Sequence, residues 1–235
     1  MNQVDDTPKF VTDMIMPERE GGYLKGQETR ELILRTALTI LIEEGYRAMS
    51  MRRVATACGM KFGNLTYHYR SREDLVRELM EAVIRSYEVE FVDIVHMPGV
   101  PAEERLRRMC NLILDDIRSK KTTNFFPELW ALSNHDAFVS ERIQELYVRA
   151  RAPLMEIIAE MRPDLDEKYR EIVALFISGS MEGMTIFAGN GKPFEKRMPH
   201  IERIAAHSFV TLVKTITEDE IRGLARSEPD TPASA

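Results

Sequence analysis

A chain of 235 residues, 44% hydrophobic and 30% charged, has the composition of a soluble globular protein with enough apolar material for a substantial core. That balance excludes wholesale disorder and the collagen-like and low-complexity classes. The net charge of −6 excludes a surface basic all over, and two cysteines, Cys58 and Cys110, cannot make a disulfide framework, which points to a reduced, cytoplasmic setting.

Residues 1–23 mix Pro8, Pro17, Gly21 and Gly22 with unpatterned charge and read as a flexible arm. Asp5, Asp6 and Pro8 stand where a secretory leader would be basic and then apolar. A first helix is predicted from Glu28 to Glu44, with Ile33, Ala37, Ile40 and Leu41 on one face and Gly45 ending it. Ser50 suits the N-cap of a short helix through Cys58, stopped by Gly59, and a second short helix covers Phe62 to Tyr69. Ser71-Arg72-Glu73-Asp74 has the capping pattern that starts a longer helix carrying Leu75, Leu79, Ala82 and Val83 inward. Beyond Pro98-Gly99 and Pro101 comes a helix with Leu106, Met109, Cys110, Ile113 and Ile117, then a short aromatic one with Phe125, Phe126, Leu129, Trp130 and Leu132. A long helix through Ile143, Leu146, Leu154 and Met161 should be kinked by Pro153. Asp166–Ala188 and Met198–Thr217 complete the set, with Asn190-Gly191 as a stop between them.

The prediction is an all-α chain of about nine helices. The expected divisions are an arm (1–23), a head of short helices (24–75), a helical body (76–220) and a loose tail (221–235) holding Pro229 and Pro232. No run approaches the ~18 consecutive apolar residues of a membrane helix, the nearest, Val173 to Phe187, being broken by Ser178, Gly179, Ser180 and Glu182, so no membrane partner is expected.

Between Arg47 and Arg77 seven basic residues (Arg47, Arg52, Arg53, Lys61, Arg70, Arg72 and Arg77) face only Glu73 and Asp74, a basic island on an acidic chain. The same stretch holds two short helices joined at Gly59-Met60. Small Ala55 and Cys58 permit close approach, while Val54, Met60, Leu65 and Tyr69 are placed to fix the angle, and Gly63 leaves the front of the second helix uncluttered. In a helix-turn-helix of this kind the first helix crosses the DNA backbone and the second enters the major groove.

Ser50-Met51-Arg52-Arg53-Val54-Ala55-Thr56-Ala57-Cys58-Gly59-Met60, then Gly63-Asn64-Leu65-Thr66-Tyr67-His68-Tyr69 and Ser71-Arg72-Glu73-Asp74-Leu75, resembles the N-terminal domain of the TetR family of transcriptional regulators. Glu28-Thr29-Arg30 and Glu44-Gly45-Tyr46 match that family's first helix, so the resemblance spans about Gln27 to Leu79. It departs at Lys61, where a capping Ser is usual and which cannot accept backbone N–H bonds, at Thr66, where an aromatic is usual, and at Cys58, where Ala is usual. The resemblance implies an N-terminal three-helix DNA-binding domain followed by a C-terminal helical domain for ligand binding and dimerisation. It also assigns backbone contacts to Tyr67 and His68, and a basic contact at the start of the fourth helix to Arg72. From position alone, Ser50 and Arg52 reach phosphate, Asn64 pairs with adenine, Lys61 meets guanine, and Phe62 and Thr66 touch a thymine methyl.

One such reader spans only a few base pairs, which calls for a homodimer on a double-stranded operator with an inverted repeat. Its expected interface is the last two helices, through Ser178, Gly179, Ser180 and Gly183 and a stripe of Ile201, Ile204, Ala205, Ser208, Phe209, Leu212 and Ile216. The resemblance further implies a small apolar or amphipathic ligand in the body, for which Met109, Cys110, Ile113, Phe126, Trp130, Tyr147, Met181 and Met184 are candidate lining residues; the same pattern also suits plain core. Metal-protease, thiol-pair, nucleophile-elbow and phosphate-loop motifs do not occur, so neither catalytic residues, metal nor cofactor is expected. The expectation is a repressor released from its operator by a ligand. The alternative is the same head acting as an activator or through a protein partner, with no metabolite inducer.

Overall fold

Apolar residues at helical spacing fold the chain into ten α-helices, with no strand among the described residues, in a computed structural model that describes residues 14–16 and 24–224. Helix α1 (Leu24–Glu44) buries the expected Ile33, Ala37, Ile40 and Leu41, and ends where Gly45 turns to a φ of +84°. Helices α2 (Met51–Ala57) and α3 (Phe62–His68) follow. Ser50 caps α2 by accepting the Arg53 N–H, and Ser71 starts α4 (Arg72–Val95) by accepting the Asp74 N–H at 3.0 Å. Of the arm expected at residues 1–23, residues 14–16 are described and Met14 is buried; the rest lies outside the described residues.

The body continues with α5 (Ala102–Ile117), α6 (Lys120–Ser133), α7 (Ala137–Met161), α8 (Glu167–Ala188) and, after a 3-10 turn at Glu195–Arg197, α9 (Met198–Thr215). Helix α6 starts earlier than its aromatic residues suggest, because Ser119 caps it by accepting the Thr122 N–H at 3.1 Å. Both α6 and α7 run as single helices through Pro127 and Pro153, held by buried neighbours such as Phe126, Leu129, Leu154 and Ile157. A tenth helix, α10 (Glu218–Leu224), begins where the sequence reading ended the last one, and it carries regular structure past residue 220 into the stretch read as tail. Its start is a reciprocal cap: Thr217 Oγ1 accepts the Glu220 N–H at 3.2 Å while Glu220 Oε2 accepts the Thr217 N–H at 2.9 Å. The part of the expected tail beyond Leu224 lies outside the described residues.

Helix α5 packs against α7, α8 and α9, and α4 packs against α7, around a core that includes Leu106, Met109, Leu114, Phe125, Ile157 and Ile177. Arg149 of α7 forks onto two carboxylates of α4, Glu81 at 2.6 Å and Glu88 at 2.7 Å. The expected α9 stripe divides: Phe209 is buried, while Ile201, Ala205, Leu212 and Ile216 pack partly against the body and Ile204 and Ser208 face outward. Helix α8 shows the reverse, with Ile172, Leu175, Phe176, Ile186 and Phe187 all half or more exposed. Among the described residues it alone is long and apolar enough to cross a membrane by length and composition, and about a third of its apolar window is buried.

Head and body are tied by directional bonds. Asn124 of α6 donates to the Ile42 carbonyl at 2.9 Å, and Glu128 of α6 accepts the Tyr46 N–H at 3.0 Å. Arg30 of α1 and Glu78 of α4 form an ion pair that is almost wholly buried. Such a pair is a weak stabiliser relative to apolar packing, yet removing one partner strands the other charge. Glu78→Leu is therefore expected to lower unfolding stability by about 3–5 kcal/mol in urea titration, and Arg30→Met added to it should restore most of the loss.

Candidate functional site

The turn between α2 and α3 closes because Gly59 adopts a φ of +66° and the Met60 N–H reaches back to the Ala55 carbonyl at 3.0 Å. Val54, Ala55, Leu65 and Tyr69 are all buried beneath it, as their spacing predicts, where α3 packs against α2. The opposite side of α3 is open. Phe62, Asn64 and Tyr67 are exposed, Tyr67 at 86%, and a Cβ placed on Gly63 would meet nothing within 4 Å. Lys61 occupies the cap position without capping, and its side chain is exposed.

Most of the predicted contact residues are brought together here, in differing states of readiness. Arg52 is exposed with its guanidinium 5.7 Å above the Phe62 ring, and His68, half-buried, meets the Tyr67 ring edge-on at 5.3 Å. Thr66 is half-buried and returns its hydroxyl to the Gly63 carbonyl at 3.0 Å. Ser50 is exposed, but its oxygen is engaged in the cap of α2. Arg72 turns inward, stacking 3.9 Å above the Tyr46 ring and donating to the Tyr46 carbonyl at 2.5 Å. The sequence reading assigned no role to Arg47 and Arg70, which are exposed and form no ion pair with another described residue; their place in the basic island was the available signal. Arg53 and Arg77, by contrast, are paired with Glu44 and Asp74.

In the body, α4 to α8 surround a cavity of about 50 Å³. Of the candidate lining residues, Met109, Ile113, Phe126, Tyr147 and Met181 lie on its wall. Trp130 lies on an adjoining outer groove that shares Tyr147, Arg151, Ser178 and Glu182 with the cavity wall. Cys110 and Met184 are on neither wall; Cys110 is fully buried, and burial pushes its thiol up to about 12, which makes it inert. Apart from Tyr147, sequence reasoning missed the polar members of the wall, among them Tyr87, Asp116, Thr122 and Glu182. Tyr87 and Thr122 both donate to Asp116 Oδ2 at 2.6 Å, and the Trp130 indole N–H donates to the Tyr147 oxygen at 2.8 Å. Burial, reinforced by the charge of Asp116, raises the Glu182 carboxyl to about 7. Its only signal in the sequence was a charge inside an apolar run. No cluster of potential metal ligands occurs among the described residues.

A rigid two-helix reader with an open cationic face, mounted on an all-helical body, defines a helix-turn-helix regulator of transcription. Residues 33–79 match the model for bacterial regulatory proteins of the tetR family, and residues 102–226 match that for the C-terminal domain of BetI-type transcriptional repressors. The chain belongs to the tetR family of DNA-binding transcriptional regulators, a family of regulators and not of enzymes. An HTH-type regulator encoded in the dhlA 5′ region of Xanthobacter autotrophicus is 26% identical over 178 residues, covering 73% of this chain and 84% of the relative. The regulator YerO of Bacillus subtilis is 24% identical over 131 residues, which is 52% of this chain and 45% of YerO, so the match spans less than half of that relative. A regulator from Saccharomonospora viridis, solved in complex with choline, shares the fold at a TM-score of 0.64 and 19% identity, covering 78% of this chain and 96% of that one.

The two faces of the reader predict opposite behaviour on truncation. Tyr67→Ala is expected to change unfolding stability by no more than about 0.5 kcal/mol, as for other exposed sites. Tyr69→Ala, at 1% exposure, should cost about 3–5 kcal/mol in the same chemical-denaturation assay.

Proposed function

We propose that the protein is a homodimeric repressor that binds a double-stranded operator with an inverted repeat and leaves it when a small molecule enters the body cavity. The observation that carries this reading is the open face of α3, with Lys61, Phe62, Asn64 and Tyr67 exposed beside Arg52 on a support whose underside is fully packed. Arg52, Tyr67 and His68 serve the phosphates and register, Asn64 reads adenine, Lys61 reads guanine, and Arg47 and Arg70 add to the field that draws in the polyanion. Ser50 and Arg72 act mainly by shaping the reader, through the cap of α2 and the stack on Tyr46. Family regulators bind operators and act as dimers in the cytoplasm, and the BetI-type match over the body favours repression.

The exposed apolar residues of α8 flank Gly179 and Gly183 along that helix, where an added Cβ would meet nothing within 4 Å, and Ile204 of α9 is exposed as well. This surface is the seat of the partner copy, and its burial explains an apolar helix face that would otherwise be wet. Ligand control follows from size. About 50 Å³ is well below the ~150 Å³ of an engineered cavity that admits benzene. A ligand seated wholly inside it must therefore part the helices, and α6 connects the cavity, through Thr122 and Phe126, to the head, through Asn124 and Glu128. The ligand favours the parted state and lowers the population that fits both half-sites. The choline complex of the Saccharomonospora viridis protein supports a small-molecule response in this fold.

Selection of bound sequences from random duplexes tests the reading: an inverted repeat is expected, and no preference over scrambled DNA would overturn it. Asn64→Ala should cost about 1–3 kcal/mol at one base position per half-site, whereas Arg52→Ala should weaken all sequences alike and reduce the salt slope by about 1. Phe176→Glu should give a monomer in sedimentation and lose the cooperative binding of paired half-sites.

A further inference from the structure

Two buried carboxylate oxygens on the cavity-lining residues have no hydrogen-bond donor among the described residues. Asp116 takes the bonds from Tyr87 and Thr122 on Oδ2, leaving Oδ1 buried and unmatched, and Glu182 Oε2 is in the same condition. Acceptors withdrawn from water are normally matched, so each unmatched oxygen marks a place where a donor from outside the chain would be gained at full value. Both residues line the cavity, and the remaining wall is largely aromatic and aliphatic.

The charges around them narrow the donor further. Lys121 of α6 is buried, stands 5.1 Å from the centroid of the Tyr87 ring and lies within the field of Asp116, so one cation already accompanies that carboxylate. Arg151 of α7 is on the stretch of wall shared with the outer groove, together with Tyr147, and its charge acts on the Tyr147 hydroxyl. Helix α9 supplies nothing to the lining. Glu182 meets burial and the negative Asp116, against a single hydrogen bond from Tyr147. Arg151 on the wall gives no N–H to Asp116 Oδ1 or Glu182 Oε2, so among the described residues these two acceptors on an acidic stretch of wall have no N–H-bearing cation bonded to them.

We propose that the cavity receives the protonated primary or secondary amine of a short apolar molecule, its N–H groups bridging Asp116 Oδ1 and Glu182 Oε2 and its chain lying against Tyr87, Phe126 and Met181. This rests on the ligand-release reading above and names the ligand class. A quaternary ammonium fits the charge and the aromatic rings but has no N–H to give either oxygen. Binding fixes Glu182 in its ionised form. Because that carboxyl titrates near 7 in the empty cavity, a proton leaves as the amine enters, and affinity rises with pH between 6 and 8.

The test uses the full chain and four six-carbon probes, namely hexylamine, hexyltrimethylammonium, 1-hexanol and hexanoate, read by the fluorescence of Trp130, the single tryptophan, and by release of operator DNA. Hexylamine is expected to bind at least tenfold more tightly than the other three and to tighten about tenfold from pH 6 to pH 8, with proton release in calorimetry. Glu182→Gln should abolish that pH dependence and bring hexylamine to the level of hexanol. If Glu182→Gln does not fold, the comparison of probes and pH on the unaltered protein decides alone. Equal binding of hexyltrimethylammonium or hexanol, or tightest binding of hexanoate at Arg151, overturns the amine assignment while leaving ligand release standing where DNA is freed. Binding by none of the four at millimolar concentration overturns both.

Discussion

Helix α6 is held to the head by bonds to main-chain atoms, and this is the constraint on which the rest of the molecule depends. The Asn124 amide and the Glu128 carboxylate grip the Ile42 carbonyl and the Tyr46 N–H, two groups at the end of α1 that no intrahelical partner satisfies. Side-chain contacts can repack at modest cost, but a bond to a fixed backbone group is kept or broken. Where α6 goes, the end of α1 and the turn into α2 must follow. The opposite side of the same helix carries Thr122 and Phe126 into the cavity, so in the proposed release events there act on a helix and not on a loop.

The head was legible in the sequence because its demands are local. A positive φ at Gly59, a hydroxyl at Ser50 and buried positions at Val54, Leu65 and Tyr69 are each set by neighbours a few residues away. The body's helices were legible for the same reason, through period and breakers. Helix α10 was missed although its signal, Thr217 followed three residues later by Glu220, is equally local, because the segment carries no apolar stripe to draw attention to it. Arg72 shows the opposite limit. Its position suggested an outward cation, but the Tyr46 ring and carbonyl, 26 residues away, claim its guanidinium.

The cavity divides along the same line. Five of the eight residues chosen for lining it are on its wall, since an apolar face at helical spacing points to a core and a cavity forms where cores are incompletely filled. Asp116, Glu182 and Tyr87 were not chosen, because a charged or polar group on a helix is ordinarily solvated and only the packing of α5 against α4 and α8 shows that these are enclosed. Cys110 was chosen and lies off the wall, on the closely packed side of α5. Burial of a polar group is a property of the assembled helices, and no single helix pattern records it.

The stack of Arg72 on Tyr46 joins the first turn of α4 to the corner between α1 and α2, while Arg53 ties α2 to the end of α1 through Glu44. With the floor of α3 sealed by Leu65 and Tyr69, the head is triangulated, and neither the Arg72 stack nor the Arg53 ion pair ends on the outward side chains of α3. Those side chains are consequently free to vary without loosening their mount. Such a scaffold can acquire a new DNA vocabulary by exchanging a few surface residues, while its hinge to the body and the shape of its chamber are inherited intact.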